Sequence, residues 1–177
     1  LLGPERPRPA GQVAWRGICP RSATASDPGG ESWGRGARFG FVPIDGARAY
    51  WCAVRDTAAS APHTADQHAA LLACYRDWHA PIPDLLRTTN AADVIRTELF
   101  DRVPTATWGR DRVTLLGDAA HPMTPNLGQG GCQAIEDAWV LARELARDPS
   151  PTGLRRYEAA RQPRTKSVTS GSSPSCR

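Results

Sequence analysis

No stretch of the 177 residues approaches the roughly 20 consecutive apolar positions of a membrane span. The first residues show no secretory signal. Neither a spanning segment nor export is therefore expected. Cysteine is sparse and odd in number: Cys19, Cys52, Cys74, Cys132 and Cys176, with no pair at metal-ligand spacing. The expectation is free thiols in a reducing, cytoplasmic setting and no structural metal. His63, His68 and His79 miss the i, i+4 spacing of a helical metal pair, so they read as solvated or capping side chains. No Gly-x-Ser-x-Gly elbow serves a hydrolase, and no P-loop serves phosphoryl transfer. The Gly-x-Gly-x-x-Gly fingerprint of a dinucleotide fold is missing too. Gly34-Arg35-Gly36 does not replace it, because no helix follows and the third glycine is out of place. The charge argues against nucleic acid. It is a net +4, supplied almost wholly by arginine, and the arginines are scattered rather than bunched. That pattern fits solubility or an anionic cofactor.

What is present suffices for one modest domain. Hydrophobic residues make up 40% of the chain, while 16 Gly and 16 Pro keep its elements short. Residues 12–18, Gln-Val-Ala-Trp-Arg-Gly-Ile, read as a strand. A small, polar loop follows over 21–30. Phe39 and Phe41 alternate with small residues, Asp45-Gly46 signals a hairpin, and 49–54 form the returning strand. Together they predict an antiparallel meander. After an alanine-rich loop over 56–62, Thr64 is placed to cap a helix over 65–78 with Leu71, Leu72, Tyr75 and Trp78 on its apolar face. Pro81 and Pro83 end that helix. A turn of helix is expected at 84–87 and another strand over 94–100. Arg102 follows, able to pair with Asp101 or with a neighbouring loop.

The chain is organised around 112–138. Arg112-Val113-Thr114-Leu115-Leu116, closed by Gly117, reads as a buried strand. Gly117-Asp118-Ala119-Ala120-His121-Pro122 follows, then Pro125-Asn126-Leu127-Gly128-Gln129-Gly130-Gly131. A helix is expected next, with Ile135, Ala138, Leu141 and Leu145 at core spacing. Glycines at a helix N-terminus leave backbone N–H groups open, with the positive end of the macrodipole behind them. Such a mouth suits an anionic or electron-rich ligand. Glu136 and Asp137 read as acids favoured by that pole. A last helix is predicted over 152–162, and the Ser/Thr/Lys-rich tail 164–177 reads as disordered.

The ordered series Gly-Asp-Ala-Ala-His-Pro, Pro-Asn-Leu-Gly-Gln-Gly-Gly and Ala-Ile-Glu-Asp-Ala resembles the Gly-Asp fingerprint of single-component FAD monooxygenases. These are the aromatic-ring hydroxylases with the para-hydroxybenzoate hydroxylase fold. The Trp-Arg-Gly strand and the meander are similar to that family's substrate-domain sheet. The resemblance implies an α/β enzyme, of which this chain holds an α+β part. That part is an antiparallel substrate-domain sheet plus the strand–loop–helix of the FAD-binding domain, with the N-terminal Rossmann unit absent. It implies a substrate domain over 1–107 and the C-terminal part of the FAD-binding domain over 108–163.

The implied chemistry is hydroxylation of an aromatic or heterocyclic small molecule with O2 and NAD(P)H, through a flavin hydroperoxide. The implied FAD-binding residues are Gly117, Asp118, Pro125, Leu127, Gly128, Gln129, Gly130 and Gly131. Asp118 would meet a ribityl hydroxyl, and the helix mouth would meet the pyrimidine edge of the flavin. Pro122 would wall the reacting face. Arg16 would face substrate or the flavin edge, or else point outward from a half-buried strand. His121 is expected to be structural. With the ADP-binding motif absent, the isolated chain is expected to bind FAD weakly or not at all. Two rival readings remain: a non-catalytic remnant, and a flavin-independent small-molecule-binding module.

Overall fold

The protein is described by a computed structural model covering Gly3 and residues 6–21, 28–56 and 66–173. Its internal contacts divide it into two units. One is Gly11–Leu99; the other joins the residues up to Ala10 with those from Phe100 onward. The boundary expected from the sequence lies after position 107.

The first unit is built on a five-stranded sheet. Its strands are β1 (Arg8–Pro20), β2 (Gly30–Gly34), β3 (Ala37–Pro43), β4 (Arg48–Asp56) and β5 (Ile95–Asp101), in the spatial order β2-β3-β4-β1-β5. The β2–β3, β3–β4 and β4–β1 pairs are antiparallel. Asp45 closes the β3–β4 hairpin, accepting from the Ala47 and Arg48 amides at 2.8 and 2.7 Å. Side chains alternate between faces, so one face gathers the apolar set. There Phe39, Phe41 and Trp51 pack under helices α1 (Gln67–Tyr75) and α2 (Ile82–Thr88) through Leu71, Tyr75, Leu85 and Leu86. Phe39 stacks on Trp51 at 5.5 Å and meets Tyr75 edge-on at 5.4 Å. Buried polar tips find partners: the Trp51 indole donates to Thr89 Oγ1 at 2.8 Å, and the Tyr75 hydroxyl donates to the Arg38 carbonyl at 3.2 Å. Gly17 lies opposite Trp51. A Cβ there would come within 2.5 Å of the indole, so the ring occupies the space a side chain would need.

Helix α1 is capped by Asp66, whose carboxylate accepts from Ala69 N at 2.8 Å. Thr64, the expected cap, lies outside the described residues, as do His63, most of the 21–30 loop and nearly all of the 56–62 loop. The helix stops at Tyr75 rather than running to Trp78.

The second unit contains a two-residue ladder, β6 (Gly109–Arg110) with β7 (Val113–Thr114), and two long helices, α3 (Gly130–Arg147) and α4 (Pro151–Ser172). Three sequence expectations are corrected here. The buried strand over 112–116 shrinks to Val113–Thr114, and Val113 is 52% exposed. Its only ladder partner among the described residues is β6, so nothing extends the pairing. Helix α3 does not bury the Ile135 and Ala138 stripe. Ile135 and Trp139 stand exposed, while Gln133, Asp137 and Glu144 are buried. Arginines of α4 turn the helix this way: Arg161 holds Asp137 and Arg156 holds Glu144.

The tail is the third correction. Helix α4 does not end near Gln162 but runs through Pro163 to Ser172. Ser150 caps it and Pro151 supplies a preset first turn. Beyond Pro163, Thr165, Thr169 and Ser172 form a buried stripe of small polar side chains. The terminal carbonyl of Ser172 accepts from Asn126 Nδ2 at 2.8 Å and from the Thr124 hydroxyl. Low apolar content suggested disorder, but a polar stripe and a capped helix end hold this segment. Among the described residues, no helix is long and apolar enough to cross a membrane.

Candidate flavin site at the mouth of helix α3

The Gly-Asp turn is a single 3-10 turn, Gly117–Ala119. Gly117 has φ +57°, the left-handed region that glycine enters without a Cβ clash. Its carbonyl accepts from the amides of Ala120 and His121, both at 2.9 Å, which folds the chain back toward α3. Arg102 closes the outside of this turn, donating to the Ala119 and Ala120 carbonyls at 2.8 and 2.9 Å. Asp101 is meanwhile taken by Arg8 in a two-pronged pair at 2.7 and 2.8 Å. Of the two partners proposed for Arg102, the loop is the one it takes.

Asp137, in the second turn of α3, holds the assembly from inside. It is fully buried, with 0% exposure. One carboxylate oxygen accepts the Gly117 amide at 2.8 Å and His121 Nε2–H at 2.6 Å; the other accepts Arg161 Nε–H at 2.7 Å. Burial alone would raise the pKa of this carboxyl. The hydrogen bonds from His121, Arg161 and Gly117 outweigh burial and hold it below the ordinary carboxylate value. Arg161 also reaches Gln133 Oε1 at 2.8 Å and Glu136 Oε2 at 2.6 Å. Arg164 grips both oxygens of Glu136 at 2.6 and 2.7 Å. Arg164 and Arg161 together draw Glu136 down to about 2.

Proximity to the helix pole therefore does not account for Glu136 and Asp137, because both are anchors for arginines of α4. The signal for this in the sequence was faint. Arg161 and Arg164 lie three apart, as residues on one helix face do, but nothing local pairs them with Asp137 some 24 positions earlier. His121 is buried and structural, as expected, with its role now defined by Asp137.

This scaffold presents an amide-rich mouth. A second 3-10 turn, Pro125–Leu127, ends at Gly128 in the left-handed region, φ +64°. Gln129 then leads into α3 without any side-chain cap, and the first turn of the helix holds no acid. Among the described residues, nothing crowds the Cβ positions of Gly128 and Gly131. A Cβ built at Gly128 or Gly131 meets no atom within 4 Å, and one at Gly130 comes 3.8 Å from Asp118 Oδ1 and 3.9 Å from Met123 Cγ. Asp118 is exposed beside that mouth. Pro122 is half-buried, and Leu127 is exposed on the second turn. Uncapped amides, a neighbouring carboxylate and room for close backbone approach suit a ligand with both hydroxyl donors and carbonyl acceptors, as a flavin has. Gly117, Asp118, Pro122, Pro125, Leu127, Gly128, Gln129, Gly130 and Gly131 thus fall in one region of the second unit. Arg16 belongs to the sheet unit, where its guanidinium donates to Thr97 Oγ1 at 3.2 Å.

Comparison with known proteins places the chain in a class. The family described as "FAD binding domain" matches residues 32–172. The chain belongs to this family, and the resemblance to flavin-dependent aromatic hydroxylases holds. Among individual proteins it is similar to the aurachin C monooxygenase/isomerase of Stigmatella aurantiaca. The two are 46% identical over 174 residues, covering 97% of this chain and 45% of that protein. It is 32% identical over 164 residues to the 2-heptyl-3-hydroxy-4(1H)-quinolone synthase of Pseudomonas aeruginosa, covering 91% of this chain and 43% of that one. Klebsiella pneumoniae HpxO, solved with FAD and uric acid, superposes with a TM-score of 0.89 at 30% identity, over 98% of this chain and 46% of HpxO. The chain spans less than half the length of each of these relatives.

Proposed function

We propose that this chain forms the flavin-edge and substrate-sheet portion of an FAD-dependent monooxygenase. The reaction is oxygen insertion into an aromatic or heterocyclic small molecule, with O2 as oxidant and NAD(P)H as reductant. The observation that carries this reading is the uncapped glycine mouth of α3 standing open beside Asp118. Bound flavin supplies the dioxygen activation. The rest of the chemistry is positioning by this chain. Amides of Gly130 and Gly131 would donate to the electron-rich pyrimidine edge and stabilise negative charge there. Asp118 would accept from a ribityl hydroxyl. Pro122 and the Pro125–Leu127 turn would keep water from the reacting face, and Arg16 would orient the substrate. Relatives named for quinolone and aurachin chemistry support a heteroaromatic substrate. The FAD and uric acid complex of HpxO supports a flavin in this fold.

Flavin titration followed by fluorescence quenching tests the reading. This chain carries contacts for the flavin ring and ribityl chain but no Gly-x-Gly-x-x-Gly fingerprint. Riboflavin and FAD are therefore expected to bind with similar, weak affinity. Gly131→Val should abolish both while leaving thermal stability intact, since the added side chain meets open space. Quenching indifferent to Gly131→Val refutes the assignment.

A further inference from the structure

We infer that a cavity in the second unit, between the 104–106 loop and helix α4, binds a small aromatic carboxylate. The inference stands apart from the flavin reading: neither Asp118 nor any residue of 125–131 lines this cavity. Its volume is about 370 Å³. Trp108, Ala120 and His121 form the floor, and all three are buried. Pro104 lies on the loop wall and Pro163 on the helix wall. The side-chain amide of Gln162 donates to the Ala106 carbonyl at 2.8 Å, which ties the two walls together.

Size and lining define the occupant. A dry cavity of roughly 150 Å³ holds a single benzene ring, so this space suits two fused rings and an acidic group. Indole, imidazole and proline rings supply its flat surfaces, against which another ring can stack. Several polar groups of the lining are already spent on the backbone. The Trp108 indole donates to the Thr105 carbonyl at 3.2 Å, and the Thr165 hydroxyl donates to the Arg161 carbonyl at 3.1 Å. Charge then selects the acidic group. Arg155, Arg156, Arg161 and Arg164 of α4 each hold a carboxylate. Lys166, the one lysine of the sequence, stands exposed at the rim of the cavity and has no carboxylate partner among the described residues. An ammonium is a compact point charge, which a single carboxylate answers. Phosphate is better met by the fork of an arginine, and no arginine is among the residues lining this cavity.

Equilibrium dialysis of the full 177-residue chain with 2-naphthoate and its neutral counterpart 2-naphthamide tests this. Naphthoate should bind saturably and about three- to fivefold more tightly than the amide, the upper end of what an exposed ion pair contributes. Lys166→Gln should erase that preference and leave the affinity for the amide unchanged. Ala106→Trp alters an exposed position on the loop wall. It should weaken both probes by at least about tenfold, because the new indole takes the apolar space. Circular dichroism confirms that each variant is folded. Isotope-labelled methyl groups, placed on the one lysine by reductive methylation, keep its charge and report on the rim directly. Their resonance should shift along the naphthoate binding curve. Equal affinity for the two probes overturns the inference, as does a preference that survives Lys166→Gln. So does uptake indifferent to Ala106→Trp in a folded chain, or a lysine signal that naphthoate leaves in place. A chain that takes up neither probe saturably overturns it as well. If Ala106→Trp fails to fold, Lys166→Gln and the methyl signal decide the matter.

Discussion

Asp137 accepts the backbone amide of Gly117 at 2.8 Å, so a carboxylate inside helix α3 fixes the turn that carries Asp118. The same carboxylate neutralises Arg161 of α4 and orders His121. Turn, loop and two helices thus share one buried charge. Removing a single partner of such a network leaves the others desolvated and unpaired, which costs more than the pairing itself contributes.

Asp137→Ala is therefore expected to destabilise the protein by about 3–5 kcal/mol, from an unpaired buried Arg161 and a bare Gly117 amide. Urea unfolding followed by circular dichroism measures it. Asp137→Asn keeps an acceptor for Gly117 and should cost visibly less. Equal losses for the two variants would show that a neutral acceptor at position 137 contributes nothing and that the charge alone holds the turn.

Acid should weaken the same network. Arg164 and Arg161 hold Glu136 at about 2, below the ordinary 4.5, and Asp137 is lowered as well. A carboxyl depressed in the folded state contributes fully above its unfolded pKa, and the contribution is lost as pH falls through the folded one. The urea midpoint should hold from neutral pH down to about 5 and decline between about 4.5 and 2. Glu136→Gln should show a shallower decline. It should not be flat, because Asp45, Glu144 and Asp148 are also lowered. Identical slopes for the variant and the parent would remove Glu136 from the account.

The parts legible in the sequence were those written in local pattern. The meander, the Asp45 hairpin and the glycine-rich mouth each follow from residues within a few positions of one another. The parts missed depend on partners distant in sequence. Helix α3 buries Asp137 instead of Ile135 because Arg161, 24 positions on, needs a counter-charge. Hydrophobic periodicity carries no record of that need. The strand at 112–116 failed for a related reason: of the aliphatic run, Leu115 packs on the Trp108–Ala120–Tyr157 cluster, while Val113 and Leu116 stay exposed. Of the candidate site, the glycines and Asp118 were readable. The His121–Asp137–Arg161 scaffold behind them was not.

Trp51 and Gly17 offer a test of packing in the sheet unit. Any side chain at position 17 collides with the indole, whose position is fixed by its hydrogen bond to Thr89 and its stack on Phe39. Gly17→Ala should cost about 1–3 kcal/mol through overpacking, read as a lowered thermal midpoint. Thr89→Val should cost about 1–3 kcal/mol by leaving the indole N–H unsatisfied. The two losses should not add, since both act by moving the same ring. Strict additivity would mean that the indole is not the shared element.

The last turn of α4 ties the tail to the loop at Thr124–Asn126, which makes the tail a support for the candidate site. Thr124 and Asn126 both donate to the Ser172 carbonyl, and Thr165, Thr169 and Ser172 are buried along the way. These contacts use the carbonyl that a helix end leaves unpaired, so the loop caps the helix and the helix holds the loop. Truncation after Gln162 removes both halves of that arrangement. It should leave the Pro125–Leu127 turn open to proteolysis, raising cleavage there by roughly tenfold if about 1.4 kcal/mol of local stability is lost. Asn126→Ala should produce a smaller rise at the same peptide bonds without truncation. The mouth at Gly128 to Gly131 continues directly from that turn, so riboflavin should weaken in step with the cleavage rate. A truncated chain with an equally protected loop and undiminished riboflavin affinity would mean that the tail merely lies against the site without supporting it.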